Sequence, residues 1–251
     1  RSLAVSALAI AVPSPPLGAA AYRSGTRPRF LAASGIACVV GTVVLAGIVP
    51  GREHSVLLAL GAFVVANVAF EIGNVFYNSF LPVIASSDRI GRISGYGWGL
   101  GYVGGLVCMA IALVGFVQPD VPWFGLAKVD GANVRATNHL VAAWFAVFAI
   151  PLFLFVPERR KAAVRFEPLA AFRRIGETFT DIRRYRQTFR FLVARLVYND
   201  GLVTIFAFGG IYAKNEFGFT FTQVLLFGVA LNVAAGLGAF AFGLVDERVG
   251  G

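Results

Sequence analysis

The chain has 251 residues, 57% of them hydrophobic and only 14% charged, against about 45–50% apolar and about 25% charged in an ordinary soluble domain. With 24 Phe, 7 Tyr and 3 Trp it carries far too much apolar surface for a disordered chain. The net charge of +9 excludes less than it promises: 16 of the 22 Lys and Arg residues lie in four connections between apolar runs, which is a pattern of membrane topology, so no nucleic acid is expected as a partner.

Seven apolar runs, near 2–22, 30–49, 55–81, 93–117, 138–156, 191–213 and 219–245, are long enough to cross a bilayer, which takes about 20 residues as helix. None alternates with period two as a barrel strand would. The expected fold class is therefore all-α, a multi-span helical membrane protein with seven transmembrane helices. The first run is bent by Pro13, Pro15 and Pro16 and has no basic segment beyond Arg1, so it reads as a span and not as a signal peptide. Cys38 and Cys108 both lie inside apolar runs, which leaves no disulfide scaffold or zinc site to build. Opening at Arg1 and stopping at Gly251 just after a charged turn, the sequence reads as a fragment of a longer chain.

Orientation follows from the basic residues. The connections after runs one, three, five and seven hold Arg23, Arg27 and Arg29, then Arg89 and Arg92, then ten basic residues from Arg159 to Arg190, then Arg248. The opposite connections hold only Arg52, Lys128, Arg135 and Lys214. Sixteen against four places the first set in the cytoplasm. The 19 Arg against 3 Lys, with abundant Ala and Gly, fit a GC-rich bacterial gene and hence the plasma (inner) membrane.

The connection 157–190 carries four acids against ten bases. Leu169, Phe172, Phe179, Ile182 and Phe189 fall on one helical face and Arg173, Arg174, Arg183, Arg184 and Arg186 on the rest, which predicts a helix over 169–189. Such a helix suits an anionic leaflet, or equally the cytoplasmic ends of the spans.

A turn motif then recurs. Gly18, Tyr22, Arg23 and Gly25 after run one correspond to Gly243, Glu247, Arg248 and Gly250 after run seven, with Tyr22 standing where an acid is expected. The two copies lie 225 residues and six spans apart, so the repeating unit is a six-helix bundle. If the motif follows the second span of each half, one span is missing in front of the chain and four behind it. The chain then divides into an N-terminal bundle (1–156, spans two to six), a basic cytoplasmic linker (157–190) and the start of a C-terminal bundle (191–251, spans seven and eight).

The turn, the repeat and the basic central connection resemble the major facilitator superfamily. Two stretches resemble one branch of it, the bacterial "unknown major facilitator" transporters related to fungal autophagy-linked vacuolar amino-acid effluxers. One runs from Phe76-Tyr77-Asn78-Ser79-Phe80-Leu81-Pro82 through Asp88-Arg89-Ile90-Gly91-Arg92 to Tyr102. The other is Arg195-Leu196-Val197-Tyr198-Asn199-Asp200-Gly201 with Phe206-Ala207-Phe208-Gly209-Gly210. The resemblance implies a six-plus-six bundle, alternating access and small organic solutes such as amino acids. Tyr22 departs from the superfamily's acid–base turn.

A charge near the bilayer centre costs about 2.5–3.5 kcal/mol even on the mildest scale, so intramembrane charges are functional suspects. Glu71, Arg195 and Asp200 qualify. Asn67, Glu71, Asn74 and Asn78 recur at i, i+4, i+7 and i+11 and form one polar stripe, which must face helices or a water-filled cavity and not lipid. The alternative is interhelical glue, worth only about 0.6 kcal/mol per hydrogen bond. In run six Arg195 lies roughly 8 Å from the cytoplasmic end and can snorkel, whereas Asp200, at about 15 Å, cannot. The two stand about 140° apart, which disfavours a mutual salt bridge. With Tyr198 and Asn199 they complete the candidate substrate or proton site: two acids at similar depth, one from each half, suit proton coupling or an amino group.

Gly99, Gly101 and Gly104 literally match a dinucleotide fingerprint, but inside an apolar run and not between strand and helix. Gly97, Gly101 and Gly105 instead form a smooth helix face, repeated by Gly228, Asn232 and Gly236 in run seven. His54 and His139 have no metal-ligand company, and no catalytic constellation is present, so neither an enzyme nor a cofactor is expected. The expected function is secondary transport of a small-molecule solute, with amino-acid efflux as the candidate activity, the lipid bilayer as partner and protons as candidate coupling ion. A non-transporting receptor or scaffold signalling through the basic loop is the alternative from another class.

Overall fold

The computed structural model describes residues 27–86, 89–156 and 186–249. Six long helices carry the fold: α1 Arg27–Gly47, α2 Ser55–Asn78, α3 Ile90–Ala112, α4 Ala132–Phe155, α5 Arg186–Phe217 and α6 Phe221–Val249. A one-turn helix, Leu81–Ile84, continues α2, and a π-helical turn, Leu113–Val117, closes α3. Among the described residues there is no strand, as apolar runs that must satisfy their own backbone in lipid require.

Five segments are long and apolar enough to span a membrane, and α5 makes a sixth if its two arms, Arg186–Phe206 and Phe208–Phe217, bent by 52°, form one span. The bend sits just before Gly209-Gly210, a glycine pair of the kind that releases a helix from straightness. The first apolar run, the turn Gly18–Gly25 and most of the amphipathic stretch lie outside the described residues, so the expected seven spans become five or six on those described. Only Arg186–Phe189 of that stretch is described, as the first turn of α5.

Helix boundaries extend past the apolar runs where polar side chains find backbone partners. α4 begins six residues before its apolar run because Asn133 and Arg135 are held there: the Asn133 amide donates to Phe116 O at 2.9 Å, and Arg135 Nη1 to Ala46 O at 3.2 Å. α6 starts on a reciprocal cap, with the Thr220 N–H donating to Gln223 Oε1 at 2.8 Å and the Gln223 N–H to Thr220 Oγ1 at 3.3 Å. It continues through Val249, so Glu247 and Arg248 are helical in backbone and not a turn.

The chain falls into two compact units. In the first, α1 packs on α2 and α4. A Cβ on Gly41 would stand 2.9 Å from that of Ala66, Gly73 faces Ser34, and Phe30 stacks on Phe76 at 5.3 Å. Small residues allow this approach, which packing within lipid demands. The second unit joins residues 88–106, most of α3, to α5 and α6. There α6 lies against α3 through glycines, and α5 meets α6 near their shared loop, where Gly210 approaches Val224 and Gly209 approaches Phe227.

Candidate functional site

Buried Ala66, Ala69, Gly73 and Phe76 define the face of α2 that packs on its neighbours. At 100° per residue Glu71 stands between about 140° and 160° from each of them. The stripe of Asn67, Glu71, Asn74 and Asn78 is thus on the far side of α2 from α1; Asn67, Glu71 and Asn74 are half-buried and Asn78 is exposed. Asn67 has a polar partner. Among the described residues no hydrogen bond or ion pair reaches the Glu71 carboxylate. A carboxylate flanked by three amides offers one exchangeable proton and many hydrogen-bonding positions.

On α5, Arg195, Tyr198, Asn199 and Asp200 are all exposed within their unit, and no ion pair joins Arg195 to Asp200 among the described residues. They precede the bend at Phe206–Phe208 and stand apart from the contacts that Gly209, Gly210 and Ala213 provide near the loop. Glu71 and this group belong to different units.

The close helix crossing uses a glycine series other than Gly97, Gly101 and Gly105. A Cβ on Gly95 would lie 2.7 Å from Ala239 O and 2.9 Å from the Gly243 Cα, and one on Gly99 would collide with the Phe240 ring. Gly243, first glycine of the second turn motif, stands within 3.5 Å of Gly91 O by the same measure. Among the described residues nothing lies within 4 Å of such a position on Gly101, Gly105 or Gly228, and Gly97 is exposed, whereas Gly236 packs on Tyr102. The Asn232 amide donates back to Gly228 O at 2.8 Å. Of the remaining turn residues, Gly250 lies outside the described residues.

A buried cation joins the start of α1 to the end of α2. Arg27, buried at the start of α1, donates from Nη1 to Ser79 O at 3.0 Å and sits 5.1 Å from the centre of the Phe80 ring. It also has a further partner. The Ser79 hydroxyl in turn donates to Phe76 O at 2.6 Å. A cation here neutralises the carbonyl end of α2 and fastens α1 to the Phe76–Pro82 stretch. Its signal was present as an arginine just outside an apolar run, indistinguishable there from any topology-setting charge. No group of three His, Cys, Asp or Glu suited to a metal occurs among the described residues.

Residues 1–250 match the family described as vacuole effluxer Atg22-like. An uncharacterized MFS-type transporter of Bacillus subtilis, YxiO, is 30% identical over 256 residues, covering 100% of this chain and 57% of the relative. Autophagy-related protein 22-1 of Penicillium rubens is 27% identical over 62% of this chain and 27% of its own length. Autophagy-related protein 22 of Eremothecium gossypii is 22% identical over 79% and 42% respectively. The chain thus spans little more than half the length of the Bacillus relative and less of the fungal ones. No solved structure matches it significantly.

Proposed function

Because the chain belongs to the Atg22-like vacuole effluxer family of membrane proteins, we propose that it is part of a secondary transporter that moves a small organic solute, amino acids first among the candidates, by alternating access. The bundles are 1–156 and the segment beginning at 191, joined by the basic linker 157–190. Export across a bacterial plasma membrane is the direction and place this reading takes. The similarity to an MFS-type transporter supports the mechanism class.

The observation that carries the proposal is the polar stripe on α2. Interhelical glue needs a partner, yet among the described residues the Glu71 carboxylate has none and faces away from the helix its own helix packs on. An acid kept at membrane depth without such a bond is a cost to stability that a solute or proton site explains. Asp200, in the other unit, is a separate acid candidate, and the Gly95–Gly243 crossing, where backbones meet without side chains between them, supports a pivot.

The test is flux: the full-length protein in proteoliposomes, loaded with a mixture of amino acids, with or without a pH gradient. Saturable release of one class, accelerated by the gradient, is expected. Absence of flux for every amino acid and related amine would remove the substrate class, and absence for all small solutes would remove the transport reading.

A further inference from the structure

The connection between α3 and α4 holds apolar side chains in a place where water would be a poor solvent for them. Val121 is 78% exposed, Phe124 86% and Val129 72%, and Trp123 is also exposed. These are not residues of a slack loop. The Trp123 ring lies over Gly115 so closely that a Cβ there would come within 2.6 Å of it, and Phe116 touches both Trp123 and Phe124, with ring centres 6.0 and 6.2 Å away. The loop base is pinned by buried Asn133, whose side chain donates to Phe116 O and whose backbone N–H donates to Ala127 O at 3.2 Å. Lys128 and Asp120 pair across it at 4.0 Å. Phe124 itself adopts φ 62°, a left-handed conformation that a bulky residue avoids. Its backbone is held in an unfavourable region while its ring gains almost no burial.

We propose that this loop seats Val121, Trp123 and Phe124 in the headgroup–acyl boundary of the leaflet opposite the arginine-rich connections. Continuity selects lipid as the occupant. Both ends of the loop are ends of membrane-spanning helices, so its tip cannot leave the bilayer surface by more than its own short reach. Trp at a span end is what the interface favours, where its amphipathic ring meets both apolar chains and water, and Val121 and Phe124 add apolar surface beside it. The polar residues of the loop, Gln118, Asp120, Lys128 and Asp130, lie towards its two ends, leaving Val121, Trp123, Phe124 and Leu126 between them. The inference rests on the membrane-spanning fold and not on the transport reading, so it stands or falls separately from it.

The experiment uses full-length protein with native cysteines replaced, reconstituted in phosphatidylcholine vesicles and spin-labelled at Phe124→Cys, with Asp120→Cys as the aqueous reference. Oxygen, which concentrates in lipid, is expected to relax the label at 124 more than a water-soluble nickel chelate does, and the order is expected to invert at 120. Val121→Cys repeats the measurement should the Phe124 variant fail to reconstitute. Nickel dominating at both 121 and 124 would place the loop in water, and a label reached by neither reagent would mean that protein, either this chain's remainder or a second copy, covers it. Each of those two results overturns the proposal.

Discussion

Gly95 and Gly243 meet backbone to backbone: a Cβ on Gly243 would stand 3.2 Å from the Gly95 Cα, and one on Gly95 only 2.7 Å from Ala239 O. Backbone cannot step aside as a flexible side chain does. Gly95→Ala is therefore expected to destabilise the full-length protein by about 1–3 kcal/mol, the usual cost of overpacking. Gly101→Ala and Gly105→Ala, which meet nothing within 4 Å among the described residues, serve as controls and should melt within error of the parent. Thermal unfolding in detergent checks the contrast, and equal melting of the three variants would show that the crossing is not held tightly.

Arg27 binds Ser79 O and the Phe80 ring from a buried position. Removing the cation with Arg27→Leu leaves that carbonyl without its charged donor, a loss of about 1.5–3 kcal/mol. Arg27→Lys keeps the charge but not the planar fork and should fall between the two. A Leu variant as stable as the parent would reduce this contact to a topology signal.

Glu71→Gln keeps size and most hydrogen bonds while abolishing the charge. If the carboxylate cycles between protonated and charged forms, the variant stays folded but loses flux driven by a pH gradient, while solute exchange without a gradient persists. Asn67→Leu, on the same stripe, should impair flux less. Normal gradient-driven transport by the Gln variant would return Glu71 to a packing role.

The charge count puts residues 157–190 in the cytoplasm and Lys128 outside. A cysteine at position 170 should resist an impermeant reagent applied to intact cells, and one at position 128 should react. Labelling at 170 from outside would invert the topology and move the aromatic loop to the inner leaflet.

Much of this was legible without coordinates because it depends on length and local period. Apolar runs without strand alternation can only be membrane helices, and α1 to α6 form along them, with boundaries displaced wherever an Asn133, Arg135 or Arg186 is tolerated at a membrane end. The polar stripe of Asn67, Glu71, Asn74 and Asn78 is likewise a property of one helix. Its side of α2 is set by spacing alone, although only packing shows that α1 takes the other side.

Glycine faces mark the limit. Gly91, Gly95 and Gly99 and Gly97, Gly101 and Gly105 are two i, i+4 series on one helix, equal by period and about 200° apart. A repeat specifies a smooth face but not which neighbour arrives at it. That is decided where α6 brings Phe240 and Gly243 to the first series and leaves the second open. The same holds for Arg27, whose charge predicts a side of the membrane while its partners, Ser79 O and Phe80, lie more than fifty residues away. Composition and period therefore determined that the chain is a stack of membrane helices and where its suspect acid lies. Long-range contact, which no local pattern encodes, chose the glycines that touch and the carbonyl and ring that Arg27 holds.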